Sequence, residues 1–220
     1  MRVVVLSSAL EKAFSAGVDR AWNRIYSPSA LSPLTQQCAV SDLLALPRHS
    51  DPARRALLTR TYVRDFQRAI GAPTRTPQPV LAAIHGVTFG LALDLLSAVD
   101  VRLAAADAAF SIKEVDVGLA ADIGTLARLP RLVGNASLLY ELALTGRVFG
   151  AQDALRLGLV SRVVPGSRDD VVRATLELAR EIARKSPVAV VGVKRFVSHA
   201  LDHSCVFFPG SWDPPFDSWH

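Results

Sequence analysis

Pro79-Val80-Leu81-Ala82-Ala83-Ile84-His85-Gly86, followed by Gly90-Leu91-Ala92-Leu93-Asp94-Leu95-Leu96-Ser97-Ala98, decides the fold class. Val80 to Gly86 is an unbroken apolar run of strand length, the pattern of a strand covered on both faces. Gly90 to Ala98 reads as a helix apolar on nearly every side, so it too belongs in the core. Val99 to Ala105 and Ala109 to Ile112 read as two further short strands. Strand, strand, helix recurs, and the class is mixed α/β.

Upstream, Val3 to Ser7 is a β-branched strand, Phe14 to Asp19 reads as a turn, and Ser27 to Pro47 is a Ser- and Pro-rich loop. Ser50-Asp51-Pro52 caps and opens a helix in which Leu58, Tyr62 and Phe66 recur at helical spacing as far as Gly71, with Pro73, Pro77 and Pro79 ending it. Downstream, Asp122 is placed to cap a helix reaching Leu132, and Asn135 one ending at Gly146. A short helix from Ala151 to Gly158 leads into a strand, Leu159 to Val164. Helices then follow over Asp170 to Lys185 and from Ser186-Pro187 towards His199. From Cys205 the chain turns to Phe207, Phe208, Trp212, Phe216 and Trp219 among prolines. The expected division is a core over 1–165, a helical region over 166–204 and an atypical tail over 205–220.

Half of the 220 residues are apolar and a fifth charged, which excludes a disordered chain. Basic residues exceed acidic ones, 25 to 20, and favour an anionic ligand. The arginines stand singly (Arg24, Arg60, Arg64, Arg68, Arg102, Arg128), without the basic run and stacking aromatics of a nucleic-acid surface, so a phosphate-bearing small molecule fits the charge better. Cys38 and Cys205 form no C-x-x-C pair, and His49, His85, His199, His203 and His220 have no metal-ligand spacing, so no metal site is expected. Val80 to Val99 is long enough to span a membrane but contains His85, Gly86, Gly90 and Asp94, and is read as strand, turn and buried helix. No targeting signal is visible: Met1-Arg2-Val3-Val4-Val5 is strand-like, and Ser218-Trp219-His220 is not an S-K-L terminus.

Three carboxylates carry the candidate chemistry. Asp94 sits in an apolar helix, where a charge is costly unless paired or protonated. It either accepts backbone or arginine hydrogen bonds or lines a substrate cleft with a raised pKa. Glu114 and Asp122, eight residues apart in Lys113-Glu114-Val115-Asp116-Val117-Gly118-Leu119-Ala120-Ala121-Asp122, can form an acid/base pair for moving a proton between two carbons. The plainer alternative is that Asp122 caps a helix, Glu114 pairs with Lys113 or an arginine, and Asp116 is solvated. Phe14-Ser15-Ala16-Gly17 and Gly86 to Gly90 can each aim backbone N–H groups at an anionic oxygen, a weak signal taken singly. There is no G-x-G-x-x-G, no P-loop and no G-x-S-x-G elbow.

Ala13-Phe14-Ser15-Ala16-Gly17-Val18-Asp19, Pro79 to Gly86 and Asp100-Val101-Arg102, in this order and spacing, resemble the crotonase (enoyl-CoA hydratase/isomerase) superfamily. Phe110 to Leu126 is similar to its delta-3,5-delta-2,4-dienoyl-CoA isomerase branch, and the resemblance extends from about Arg2 to Ser204. It implies a spiral of strand-strand-helix units with a helical C-terminal region, shortened here at both ends. It also implies an acyl-CoA substrate, no separate cofactor, and an oxyanion hole of two backbone N–H groups at Ala16 and Leu91. Leu91 stands where many relatives have glycine. Gly17, Val18, Asp19 and Gly90 fall in the substrate-binding positions. Glu114 and Asp122 fall at the proton-transfer pair, and Asp94 at a third carboxylate that polarises or positions the diene.

The resemblance further implies a homotrimer or hexamer and a peroxisomal or mitochondrial site in β-oxidation. An enoyl-CoA hydratase, or a shortened non-catalytic relative, are the alternatives to an isomerase.

Overall fold

A computed structural model describes residues 1–17 and 51–201. Val18 and Asp19, the Ser27 to Pro47 loop and the segment after Cys205 lie outside the described residues. Among the described residues eight strands form two four-stranded sheets, the first six alternating between them. They are β1 (Val4–Leu6), β2 (Ala13–Ser15), β3 (Val80–Ile84), β4 (Val87–Phe89), β5 (Val101–Ala105), β6 (Ala109–Ser111), β7 (Phe149–Gly150) and β8 (Arg162–Val164). One sheet runs β1-β3-β5-β8, all parallel; the other runs β2-β4-β6-β7, parallel except for the antiparallel β6–β7 pair. Each turn of the spiral adds one strand to each sheet.

The helices are α1 (Pro52–Ile70), α2 (Ala72–Arg75), α3 (Leu91–Leu96), α4 (Thr125–Leu132), α5 (Ala136–Thr145), α6 (Ala151–Leu157), α7 (Arg168–Ala183) and α8 (Pro187–Ala200). Asp51 caps α1 by accepting from the Ala53 N–H at 2.9 Å, with Pro52 in the first turn. Pro73 does not simply end this helix; it lies in the following turn, α2.

β3 is buried at every position because it is covered twice, and its side chains alternate. Val80, Ala82 and Ile84 join Phe14, Leu93, Leu96 and Phe110 in the main core between the sheets. Ala83, with Leu103 and Ala105 of β5, faces the other way and packs on Val171 of α7. The capping box of Ser167 and Asp170 starts α7. Lys194 of α8, its side chain 7% exposed, ties that helix to the sheet by donating to Asp100 Oδ2 (2.7 Å), Pro73 O (2.9 Å) and Gln78 O (3.0 Å).

Two local expectations change. Phe14 and Ser15 belong to strand β2 rather than to a turn, and the segment between Gly86 and Gly90 contains strand β4, which pairs with β2 and β6. Parallel neighbours complete the hydrogen bonds of these three-residue strands, which are too short to be legible alone. Among the described residues no helix is long and apolar enough to cross a membrane.

Candidate active site

Three adjacent parallel strands deliver the candidate residues from their carboxyl ends, where α/β sheets hold ligands. β2 ends at Ser15 and leads into Ala16-Gly17; β4 ends at Phe89 and leads into Gly90-Leu91; β6 ends at Ser111 and leads to Glu114. The Phe89–Ser111 register, continued by Gly90 N–H donating to Ser111 O at 3.0 Å, fixes the second segment against the third.

The glycines bring these segments together. Gly90 has φ +56°, a conformation that side chains rarely adopt, and a Cβ on it would stand 3.4 Å from Glu114 Oε1 and 3.9 Å from Gly17 Cα. Gly17 has φ +88°, and a Cβ there would lie 3.1 Å from Phe89 O and 3.7 Å from Leu91 N. The Ala16-Gly17 corner, the first N–H of α3 and the Glu114 carboxylate therefore share one small space. Leu91 is the first residue of α3, where the N–H has no partner within the helix.

Glu114 opens a single 3₁₀ turn, Glu114–Val117, closed by Gly118 in the left-handed region. Its Oε2 is buried, with no hydrogen-bond partner among the described residues. Burial, helped by the negative charges of Asp94 and Asp122 and opposed in part by its own backbone N–H, pushes its pKa up to about 7. Lys113 does not pair with Glu114; it holds Asp116 at 2.7 Å, so Asp116 is ion-paired rather than free in solvent.

Asp122 is exposed on a turn and does not cap α4, whose N-cap is Gly124. The acceptor comes instead from α3: Asp94 Oδ1 receives the Thr125 N–H at 2.6 Å. Asp94 is 1% exposed. Burial raises its pKa, while the hydrogen bonds from Thr125 and the Arg128 charge act the other way. The hydrogen-bonding side of the expectation for Asp94 is what the structure shows: its carboxylate accepts a backbone hydrogen bond, and its charge acts on Glu114. Val18 and Asp19 lie outside the described residues.

Gln67 and Arg128, to which the sequence reading gave no part in the site, also hold this region. Gln67 Nε2 donates to Asp122 O at 2.9 Å, and Arg128 Nη1 donates to Asp94 O at 3.3 Å and Ser97 Oγ at 3.1 Å. No local spacing signals these partners, since each bond joins residues 31 or more positions apart. Among the described residues no cluster of three His, Cys, Asp or Glu side chains is arranged to hold a metal.

The spiral and the convergence of three strand ends bring the Ala16-Gly17 corner, the start of α3 and a carboxylate with one buried oxygen into one space. Residues 37–206 match the enoyl-CoA hydratase/isomerase family, and the chain belongs to that family. It is 43% identical over 203 residues to the mitochondrial Delta(3,5)-Delta(2,4)-dienoyl-CoA isomerase of Homo sapiens, covering 92% of this chain and 56% of the relative. The peroxisomal Delta(3,5)-Delta(2,4)-dienoyl-CoA isomerase of Arabidopsis thaliana is 40% identical over 192 residues, covering 87% and 62%. The chain thus spans little more than half the length of these curated relatives. The crystal structure of an enoyl-CoA hydratase from Bacillus anthracis superposes with a TM-score of 0.69 at 30% identity, covering 93% of this chain and 67% of that one.

Proposed function

We propose that the chain isomerises a 3,5-dienoyl-CoA to the 2,4-dienoyl-CoA. Glu114 takes a proton from C2, and the electron pair moves onto the thioester oxygen. The backbone N–H groups of Ala16 and Leu91 receive that developing charge, each such donor lowering the barrier by about 3 kcal/mol. Asp122 delivers a proton to C6 as the electron pair returns, leaving double bonds at C2 and C4. The proton gained by Glu114 balances the one given by Asp122, and the scheme needs no cofactor beyond the CoA carried by the substrate.

The observation that carries this reading is the buried Oε2 of Glu114, unpartnered among the described residues, on a carboxylate whose pKa is pushed to about 7 and which lies against Gly90. A base held near neutrality is matched to removing a carbon-bound proton at physiological pH. Asp94 takes an indirect part, capping α4 and adding its charge to the burial of Glu114. The family's compartments, mitochondrion or peroxisome, are assigned to the chain on its likeness to the human and Arabidopsis enzymes.

A second reading, enoyl-CoA hydratase, has the solved Bacillus anthracis relative in its favour. The test is the appearance of conjugated dienoyl thioester absorbance from a 3,5-dienoyl-CoA, beside hydration of crotonyl-CoA. Isomerisation that falls about 10²- to 10⁴-fold in Asp122→Asn supports the first reading. Hydration without isomerisation supports the second.

A further inference from the structure

Gly71 and Gly124 pose a question that backbone conformation does not answer. Gly71 has φ −77° and Gly124 has φ 177°, both open to any residue. What each lacks is room. A Cβ on Gly124 would fall 1.9 Å from Arg128 Nη1 and 2.8 Å from its Cζ, and a Cβ on Gly71 would fall 2.9 Å from Nη2. The Arg128 guanidinium thus fills the space of a Gly124 side chain and shares that of a Gly71 side chain with Gln67 O, 3.0 Å from the Cβ position.

That guanidinium sits where three elements meet. Gly71 ends α1, Gly124 is the N-cap of α4, and Asp94 O and Ser97 Oγ, both reached by Nη1, lie at the carboxyl-terminal end of α3. Ser97 Oγ itself donates to Asp94 O at 2.6 Å, so the cation closes a connected set of bonds. Two residues before Gly124 stands Asp122, whose carbonyl is held from α1 by Gln67. The Asp122 turn is therefore fastened on one side to the helix that starts at Leu91 and on the other to α1.

We propose that Arg128 and Gln67 are positioning residues: together they clamp the Asp122 turn and so set where its carboxylate stands relative to Glu114 and Leu91. This rests on the proton-transfer reading given above for the role of Asp122, while the clamp itself is a matter of packing. Arg128 supplies shape and charge that lysine, a point charge without the planar fork, does not reproduce. Misplacing a reacting group by about 1 Å costs on the order of 10²-fold in rate while leaving remote binding contacts intact.

Two measurements on the full chain test the clamp. In the dienoyl-CoA assay, Gln67→Leu and Arg128→Lys are expected to lower kcat, by about 3- to 10-fold and about 10- to 100-fold respectively, with KM within about 2-fold of wild type. Unchanged kcat, or a KM that rises in step with the loss, overturns the proposal. The second is a double-mutant cycle on thermal unfolding with Gly124→Ala and Arg128→Ala. If the guanidinium occupies the place of the absent Cβ, Gly124→Ala destabilises the wild type but costs little once Arg128 is already alanine. Additive effects overturn the clamp. Because this cycle needs no turnover, a wild-type chain that fails to isomerise dienes sinks the functional reading, and the cycle still decides the clamp.

Discussion

Glu114 and Asp122 are close in sequence and opposite in surroundings. Glu114 follows a buried parallel strand, lies against Gly90 and keeps one carboxylate oxygen buried without a partner among the described residues. Asp122 is exposed, on a turn held by the bond from Gln67 and by the Asp94 cap on the helix beyond it. The sheet places the first carboxylate, and side-chain bonds from other helices place the second. The lesson is one of cost: burial gives Glu114 the pKa of a base poised near neutrality and makes it a destabilising residue at the same time, whereas Asp122 carries no such burden.

Replacing each carboxylate by its amide breaks the comparison most sharply. Glu114→Gln and Asp122→Asn are each expected to lower kcat about 10²- to 10⁴-fold, read from dienoyl-CoA turnover. Their stabilities should then diverge. A carboxyl whose folded pKa is about 7, against an ordinary value of 4.5, binds its proton more tightly in the folded state. Its favourable contribution is complete below about pH 4.5 and is lost as pH rises through about 7. Glu114→Gln, which stays neutral, should match wild type near pH 4 and exceed it by up to roughly 3 kcal/mol at pH 8, by denaturant unfolding at the two pH values. Asp122→Asn, an exposed substitution, should stay within about 0.5 kcal/mol of wild type at pH 8.

The pH dependence of wild-type activity sharpens the same contrast. With Glu114 required as its carboxylate, kcat/KM should fall about tenfold per pH unit below about 7. A profile flat from pH 5 to 8 would remove Glu114 as the base. A smaller effect is expected at Gly90: alanine there is strained at φ +56° and sets a methyl 3.4 Å from Glu114 Oε1. Gly90→Ala should cost about 1–2 kcal/mol of stability, read as a lowered denaturation midpoint.

Much of this architecture is legible because it is written in local pattern. β3 and α3 show as apolar runs bounded by proline and glycine, and Glu114 and Asp122 stand out as charges in an apolar stretch after a strand. β4 does not show, because three residues between two glycines look like a turn until β2 and β6 are beside them. Asp122 looks like the cap of α4 for the same local reason, yet the acceptor is Asp94, 31 residues earlier. Gln67, Arg128 and the empty space at Gly71 and Gly124 belong to relations that only the folded chain creates.

The central claim is a division of labour, with Glu114 at C2 and Asp122 at C6, and isotope exchange reads both halves at once. The full chain and its two amide variants would be incubated in D₂O with a 3,5-dienoyl-CoA, and the position of deuterium followed by mass spectrometry and NMR. The account predicts deuterium at C6 of the 2,4-dienoyl product with wild type. Asp122→Asn should exchange the C2 proton of the substrate while failing to label C6, and Glu114→Gln should do neither. C6 labelling by Asp122→Asn at the wild-type rate, or C2 exchange that survives Glu114→Gln, would contradict the assignment.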